Sequence, residues 1–256
     1  PSRLLRSGGS VRDPRFVICS VVIPHCYYAA LPQSIRYSTS PPSLCYIRAM
    51  SSSIKNIMFD LGVVLVHLEY EPAVQRSLAL CDPDKVRQSQ SFLSLGGRTP
   101  LVDAYERGEM TDREFFGHYV EQTGFRGDFD EFAVIWRSIF RENTPVVDFG
   151  NQLARCYPVY FMSNASDLHV PWVFERFPRL KFFKDCAVSW EIQAGKPDPV
   201  FYERALARFG VKAEESLFID DRPENVESAR RLGFTCVLYE TPEQAIRDAR
   251  NLLESA

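Results

Sequence analysis

The chain has 256 residues, of which 45% are hydrophobic and 25% charged, and its formal net charge is -3. That length and apolar content support a full hydrophobic core and exclude wholesale disorder. An acidic body without basic runs also excludes non-specific nucleic-acid binding, which depends on clustered Lys and Arg.

The charge is uneven, because residues 1–49 contain six Arg, no Lys and one acid, Asp13. Rich in Ser and Pro, this segment reads as a disordered leader, either a transit peptide or a non-native extension ahead of a start at Met50. Cytoplasmic residence is expected, or mitochondrial if the leader is a transit peptide. Its apolar piece, 16–31, is too short for a membrane span and is broken by Pro24 and His25, so no membrane association is expected. The seven cysteines show no CxxC or His-paired spacing and read as small buried thiols.

The core begins at 50–69. Residues 54–66, IKNIMFDLGVVLV, read as a buried parallel strand that pauses at Asp60 and resumes over 63–66. From 70 to 144 the pattern is helical. Glu71-Pro72 opens one helix, Thr111 and Glu114 form a capping-box signature for the next, and Asp130 starts a third. Gly96-Gly97, Gly124 and Gly127 punctuate them, and the aromatic stripes, Phe115 and Phe132 among them, read as core.

From 145 to 256 strand and helix alternate. Strands are expected at 159–163, 186–189, 217–220 and 235–239, with helices at 167–177, 199–209 and 223–232 between them. A last helix opens at Thr241-Pro242-Glu243. This is an α/β fold, a doubly wound parallel sheet interrupted after its first strand by a helical insertion over 70–144.

Four polar groups follow strands of that sheet: Asp60, Ser163-Asn164, Lys196 and Asp220-Asp221. Singly each has a bland explanation. Asp favours turns, Ser-Asn caps helices, and Lys before Pro or Asp-Asp is commonly a solvated surface. In open α/β sheets, however, ligands bind beyond the carboxyl ends of the strands, where all four are expected.

Together, in order and strand context, these groups resemble the four motifs of the haloacid dehalogenase (HAD) superfamily, whose core is a Rossmann-like sheet and which often carries an α-helical cap. The runs FDLG, YERGEMTDREFF, SNASDLH, GKPDPVFYERAL and IDDRPENVESARRLG are most similar to its sugar-phosphate phosphatases, including bacterial glucose-1-phosphatases, and to the phosphatase domain of bifunctional epoxide hydrolases. The resemblance implies a phosphatase acting on a small phosphate monoester, a sugar phosphate or nucleotide. Asp60 would be the nucleophile that forms an aspartyl-phosphate, needing no base because a carboxylate is ionised at neutral pH.

A carboxylate approaching a phosphate at 4 Å meets about 4 kcal/mol of repulsion per unit charge at an effective dielectric of about 20, so local positive charge is required. The resemblance assigns it to Lys196 and Mg²⁺. The metal would be held by Asp60, the Gly62 carbonyl and Asp221, with Asp220 beside them and Asn225 orienting the shell. Ser163 and the Asn164 backbone, at a helix start, would bind the phosphoryl oxygens.

One position departs from the family pattern. Gly62 stands where most of these phosphatases carry a second Asp as general acid and base. His67, or Glu69, is the expected substitute, with His169 a further candidate, while 94–107, including Arg98 and Arg107, is the expected specificity region. The alternative to an enzyme is a non-catalytic phosphate-ligand sensor or scaffold.

Overall fold

The computed structural model describes residues 53–88 and 99–255. The leader over 1–49, Met50, Ser94, Gly96-Gly97 and Arg98 lie outside the described residues. Five strands, β1 (Asn56–Phe59), β4 (Val159–Ser163), β5 (Asp185–Val188), β6 (Ser216–Asp220) and β7 (Thr235–Leu238), form a parallel sheet in the order β5-β4-β1-β6-β7. Between β1 and β4 lies a separate antiparallel ribbon, β2 (Val66–Leu68) with β3 (Phe140–Glu142).

The apolar runs of these strands are explained by helices covering both faces of the sheet. Ile57, Phe59, Phe161 and Ile219 pack on one face with α6 (Thr144–Leu153), α7 (Val170–Arg176) and α11 (Pro242–Ser255). Met58, Tyr160, Met162 and Phe218 alternate onto the other, against α9 (Pro199–Phe209) and Ala229 of α10 (Pro223–Arg231). Among the described residues, no helix is long and apolar enough to cross a membrane.

Two expected elements differ. The β-formers at 63–66 do not resume the first strand. Val64 N–H donates to the Gly62 carbonyl at 2.6 Å around Val63, whose φ is +62°. Asn143 then holds the turn, its side-chain amide donating to Val64 O and its backbone N–H to Leu65 O. Val64 and Leu65 are wholly buried, so the apolar run records burial and not extension. The helix expected from 167 begins at Val170, because the chain after β4 first runs through a turn in which Ala165 N–H donates to Ser189 Oγ.

The helical layer comprises α1 (Tyr70–Leu78), α2 (Pro83–Gln88), α3 (Pro100–Glu106), α4 (Asp112–Thr123) and α5 (Phe129–Arg137). The Thr111–Glu114 capping box forms in full. Asp128, not Asp130, caps α5, accepting from Glu131 N–H at 2.9 Å. The aromatic stripes meet in a core of their own: Phe115 stacks on Tyr105 at 4.1 Å and packs against Phe132 and Trp136. Each such buried ring contributes about 1.5–3 kcal/mol.

Polar contacts fasten this layer to the α/β core. Ser189, the first residue of α8 (Ser189–Ile192), donates its hydroxyl to the Glu106 carbonyl, and Arg137 Nε donates to Leu168 O at 3.1 Å. The His169 ring stacks on Trp136 and meets Phe140 edge-on.

Candidate active site

Register brings the polar groups together. Phe59 is level with Phe161 of β4 and Ile219 of β6, so Asp60, just beyond it, lies between the ends of its two neighbouring strands. Its N–H completes the ladder by donating to Ile219 O at 2.9 Å. Asp220 ends β6, and Ser163 ends β4 as a buried residue. The chain leaves β1 toward β4 and β5 on one side and returns to β6 and β7 on the other, so Asp60 stands where an open parallel sheet exposes its ligand crevice.

Lys196 enters from the loop between α8 and α9 with 2% exposure. Its ammonium donates to Asp60 Oδ1 at 2.8 Å, Asp220 Oδ2 at 2.6 Å and Met162 O at 2.8 Å, which satisfies all three N–H bonds. Asn164 holds the lysine backbone reciprocally: its amide donates to Lys196 O, and Lys196 N–H donates to its Oδ1, both at 2.8 Å. Gly195 permits this approach, since a Cβ there would lie 3.2 Å from Asn164 Nδ2. Asp220 is equally committed, also accepting from Arg222 N–H and from the Asn225 amide, both at 2.9 Å.

Oxygens of Asp60, Asp220 and Asp221 lie within 4.8 Å of one another. Three carboxylates around one ammonium leave two negative charges uncompensated within the cluster. Burial, opposed by Lys196 but reinforced by Asp220 and Asp221, pushes the Asp60 carboxyl up to about 7. Burial and Asp220 likewise raise Asp221. Burial disfavours the Lys196 ammonium, yet Asp220 and Asp60 outweigh it and hold its pKa above the usual lysine value. A compact set of hard oxygen donors with excess negative charge, one of them half-buried, fits a small divalent cation such as Mg²⁺.

The other expected site residues make contacts of their own. The Gly62 carbonyl accepts from Val64 N–H. Asn164 uses its side chain on Lys196, and Ser163-Asn164 does not open a helix. His67 faces Arg141 across the ribbon, where burial and that guanidinium hold it below the usual histidine value. Strand alternation puts His67 on the opposite side from Leu68, and it is Leu68 Cδ1 that lies 3.6 Å from where a Cβ on Gly62 would be. His67 is therefore not brought to the gap left by Gly62, and Glu69 on the same side is engaged by Arg141. His169 is enclosed by Trp136 and Phe140, and burial lowers it to about 4.

A cavity of about 450 Å³ lies beside Lys196 between the helical layer and the α/β core. The core side presents Lys196, Asn164, Ser189 and Asp198, and the helical side presents Asp103, Glu106 and Arg107. Tyr70, at the start of α1, is kept protonated: burial, Glu106 and Asp221 push its phenol up to about 12. It therefore lies within electrostatic reach of both layers. Asp103, Glu106 and Arg107 fall within the specificity region expected over 94–107, whereas nothing in the sequence singles out Tyr70.

A family model for haloacid dehalogenase-like hydrolases matches residues 54–233. D-ribitol-5-phosphate phosphatase of Bacteroides thetaiotaomicron is 27% identical over 190 residues, 71% of this chain and 89% of that protein. Sesquiterpene phosphatase of Aspergillus oryzae is 26% identical over 190 residues, 72% of this chain and 89% of that protein. A HAD family enzyme of B. thetaiotaomicron, solved with magnesium and inorganic phosphate, superposes with a TM-score of 0.64 at 27% identity, covering 73% of this chain and 94% of its own. A HAD-like family hydrolase of Porphyromonas gingivalis gives 0.65 at 28% identity, with coverage of 79% and 98%. With the strand-end cluster on the sheet that these structures share, the chain belongs to the haloacid dehalogenase-like hydrolases.

Proposed function

We propose that this protein is a Mg²⁺-dependent phosphatase that hydrolyses a small phosphate monoester through an aspartyl-phosphate on Asp60. The observation that carries this reading is the Asp60 carboxylate at the tip of the central strand, bonded to Lys196 at 2.8 Å and within 4.8 Å of the Asp220 and Asp221 oxygens. The phosphatase relatives and the family match support it.

An Asp60 oxygen attacks phosphorus, the bond to the leaving oxygen breaks, and that oxygen acquires a proton. Water then attacks phosphorus, releasing inorganic phosphate and the free carboxylate. Lys196 orients Asp60 and places positive charge beside the phosphoryl oxygens, while Asp220 and Asn164 keep the lysine in place. Ser163 and the Asn164 backbone N–H are the proposed hydrogen-bond donors to the phosphoryl group. Mg²⁺, held by Asp60 and Asp221 with Asp220 beside them, would supply the charge neutralisation that lets one anion approach another. With glycine at 62 and His67 turned away, no carboxyl at that position protonates the leaving oxygen, so esters of acidic alcohols should be the faster substrates. Residues 70–144 act in this reading as the cap over the site, with the β2–β3 ribbon as its stem.

The test is phosphate release from sugar, nucleotide and aryl phosphates, with and without Mg²⁺, for the protein and Asp60→Asn. Mg²⁺-dependent release that disappears in the variant is expected. Release that survives in Asp60→Asn would refute the nucleophile. Magnesium-linked thermal stabilisation with no release from any ester would favour the sensor or scaffold.

A further inference from the structure

Beyond its connecting ribbon, the helical layer meets the core where the C-terminal end of α3 sits on α8. Gly108, at φ +72°, comes so close that a Cβ there would lie 2.6 Å from Trp190 O. Beside it the wholly buried Ser189 donates its hydroxyl to the carbonyl of Glu106, the last residue of α3. A helix leaves its last four carbonyls without intrahelical partners, so α3 presents an acceptor at its end. Ser189 also touches the turn after β4. Ser163 is level with Val188 of β5, which sets 164–165 alongside Ser189. Ala165 N–H donates to Ser189 Oγ at 3.1 Å, and Ala165 O is a second acceptor for the same hydroxyl at 3.3 Å. A serine hydroxyl has one proton, so it serves one of the two carbonyls at a time.

We infer that Ser189 is a positioning residue that couples docking of the helical layer to the phosphoryl-binding turn at Ser163-Asn164, its hydroxyl swinging between the Glu106 and Ala165 carbonyls. The inference rests on the phosphatase reading. With α3 docked, Ala165 N–H, the Ser189 hydroxyl and the Glu106 carbonyl form a relay. A hydroxyl that donates is polarised into a better acceptor, so docking tightens the hold on the turn. With α3 away, the hydroxyl turns back to Ala165 O, and release leaves no donor unpaired. The turn matters because Asn164, next to Ala165, clamps the backbone of Lys196. Coupling is reciprocal, so a phosphate held by the turn favours the docked layer by the factor with which docking favours phosphate. The cavity beside Lys196 is lined from both sides of this joint, by Glu106 and Arg107 and by Asn164 and Ser189.

The test follows amide hydrogen exchange by mass spectrometry in the full chain with Mg²⁺, with and without inorganic phosphate, for the protein, Ser189→Ala, Ser189→Thr and Gly108→Ala. In the protein, phosphate should slow exchange both in 163–166 and in 100–109. Ser189→Ala should speed exchange in 100–109 by about five- to tenfold, the factor that one net hydrogen bond carries, and leave strands β1 and β6 unchanged. It should also lose the phosphate protection of 100–109 while keeping that of 163–166. Ser189→Thr, which retains a hydroxyl, should restore the lost protection. Gly108→Ala, whose Cβ has no room against Trp190 O, should speed exchange in 100–109 with Ser189 intact, which tests the joint even if Ser189→Ala does not fold. Phosphate protection of 100–109 that persists in Ser189→Ala, protection of 163–166 alone in the protein, or unchanged exchange in Gly108→Ala would overturn this inference and leave the phosphatase reading standing. Phosphate protection of neither segment in the protein would overturn both.

Discussion

Two groups of acids, one at the strand ends and one on the helical layer, are held differently. Asp60 and Asp220 project from strand ends, are at most 8% exposed, and are tied to a buried lysine whose own backbone is clamped by Asn164. Asp103 and Glu106 ride on a seven-residue helix that meets the core through contacts such as the Ser189 hydroxyl on the Glu106 carbonyl. The first set is held by the ladder of parallel strands, the second by a short helix of the helical layer. The proposed reaction, which requires a fixed nucleophile, calls for the first kind of support.

The largest contrast should come from deleting one cation in each group. Lys196→Ala strands Asp60 and Asp220 in the interior without their partner and should cost about 3–5 kcal/mol in urea denaturation, with loss of phosphate release. Arg107→Ala, at an exposed pair with Glu109, should cost at most about 0.5 kcal/mol in the same experiment. Equal losses would erase the distinction.

The seam between the layers has its own signature in pH. His169 is buried at the joint with a folded pKa of about 4, below its unfolded value of 6.5, so the unfolded chain binds the extra proton between those values. Its contribution is therefore full above pH 6.5 and declines as the pH falls to 4. The shift corresponds to about 3 kcal/mol. The stability difference between the protein and His169→Phe should shrink by about that amount from pH 7 to pH 4 in denaturant titrations, and a constant difference would refute the assignment.

A smaller effect is expected at the missing acid. Among the described residues a Cβ at residue 62 would meet only Leu68 Cδ1, at 3.6 Å, so glycine is not required there by space, and Gly62→Asp should fold. It should raise kcat/KM for alkyl phosphates relative to aryl phosphates by about tenfold or more, because only the alkyl esters need a proton donor. An unchanged ratio would mean that the leaving oxygen already receives its proton from another group. Val63→Gly should change stability by no more than about 0.5 kcal/mol, since relief of a β-branched residue at φ +62° is offset by the loss of its packing against the core. Thermal melts would check this.

The core strands were legible because a parallel sheet buried on both faces writes nearly continuous apolar runs, and strand 159–163 and helix 199–209 were placed to the residue. The same rule misled at 63–66, where burial in a turn held by Asn143 looks identical to burial in a strand. The capping box at Thr111 was readable because its chemistry is local, whereas the cap at Asp128 lay two residues upstream of the expected one.

The sequence by itself determined the fold class, the order of the strand-end groups and the likeness of that order to one superfamily, all properties of local pattern and spacing. Only the tertiary structure decided that Lys196 joins Asp60 to Asp220, that Asn164 serves the lysine, that His67 turns away from Gly62, and that Asp103 and Glu106 share the cavity. These contacts join residues as much as 136 positions apart, through strand register and the docking of one layer on another, and neither quantity is written in any local window of the chain.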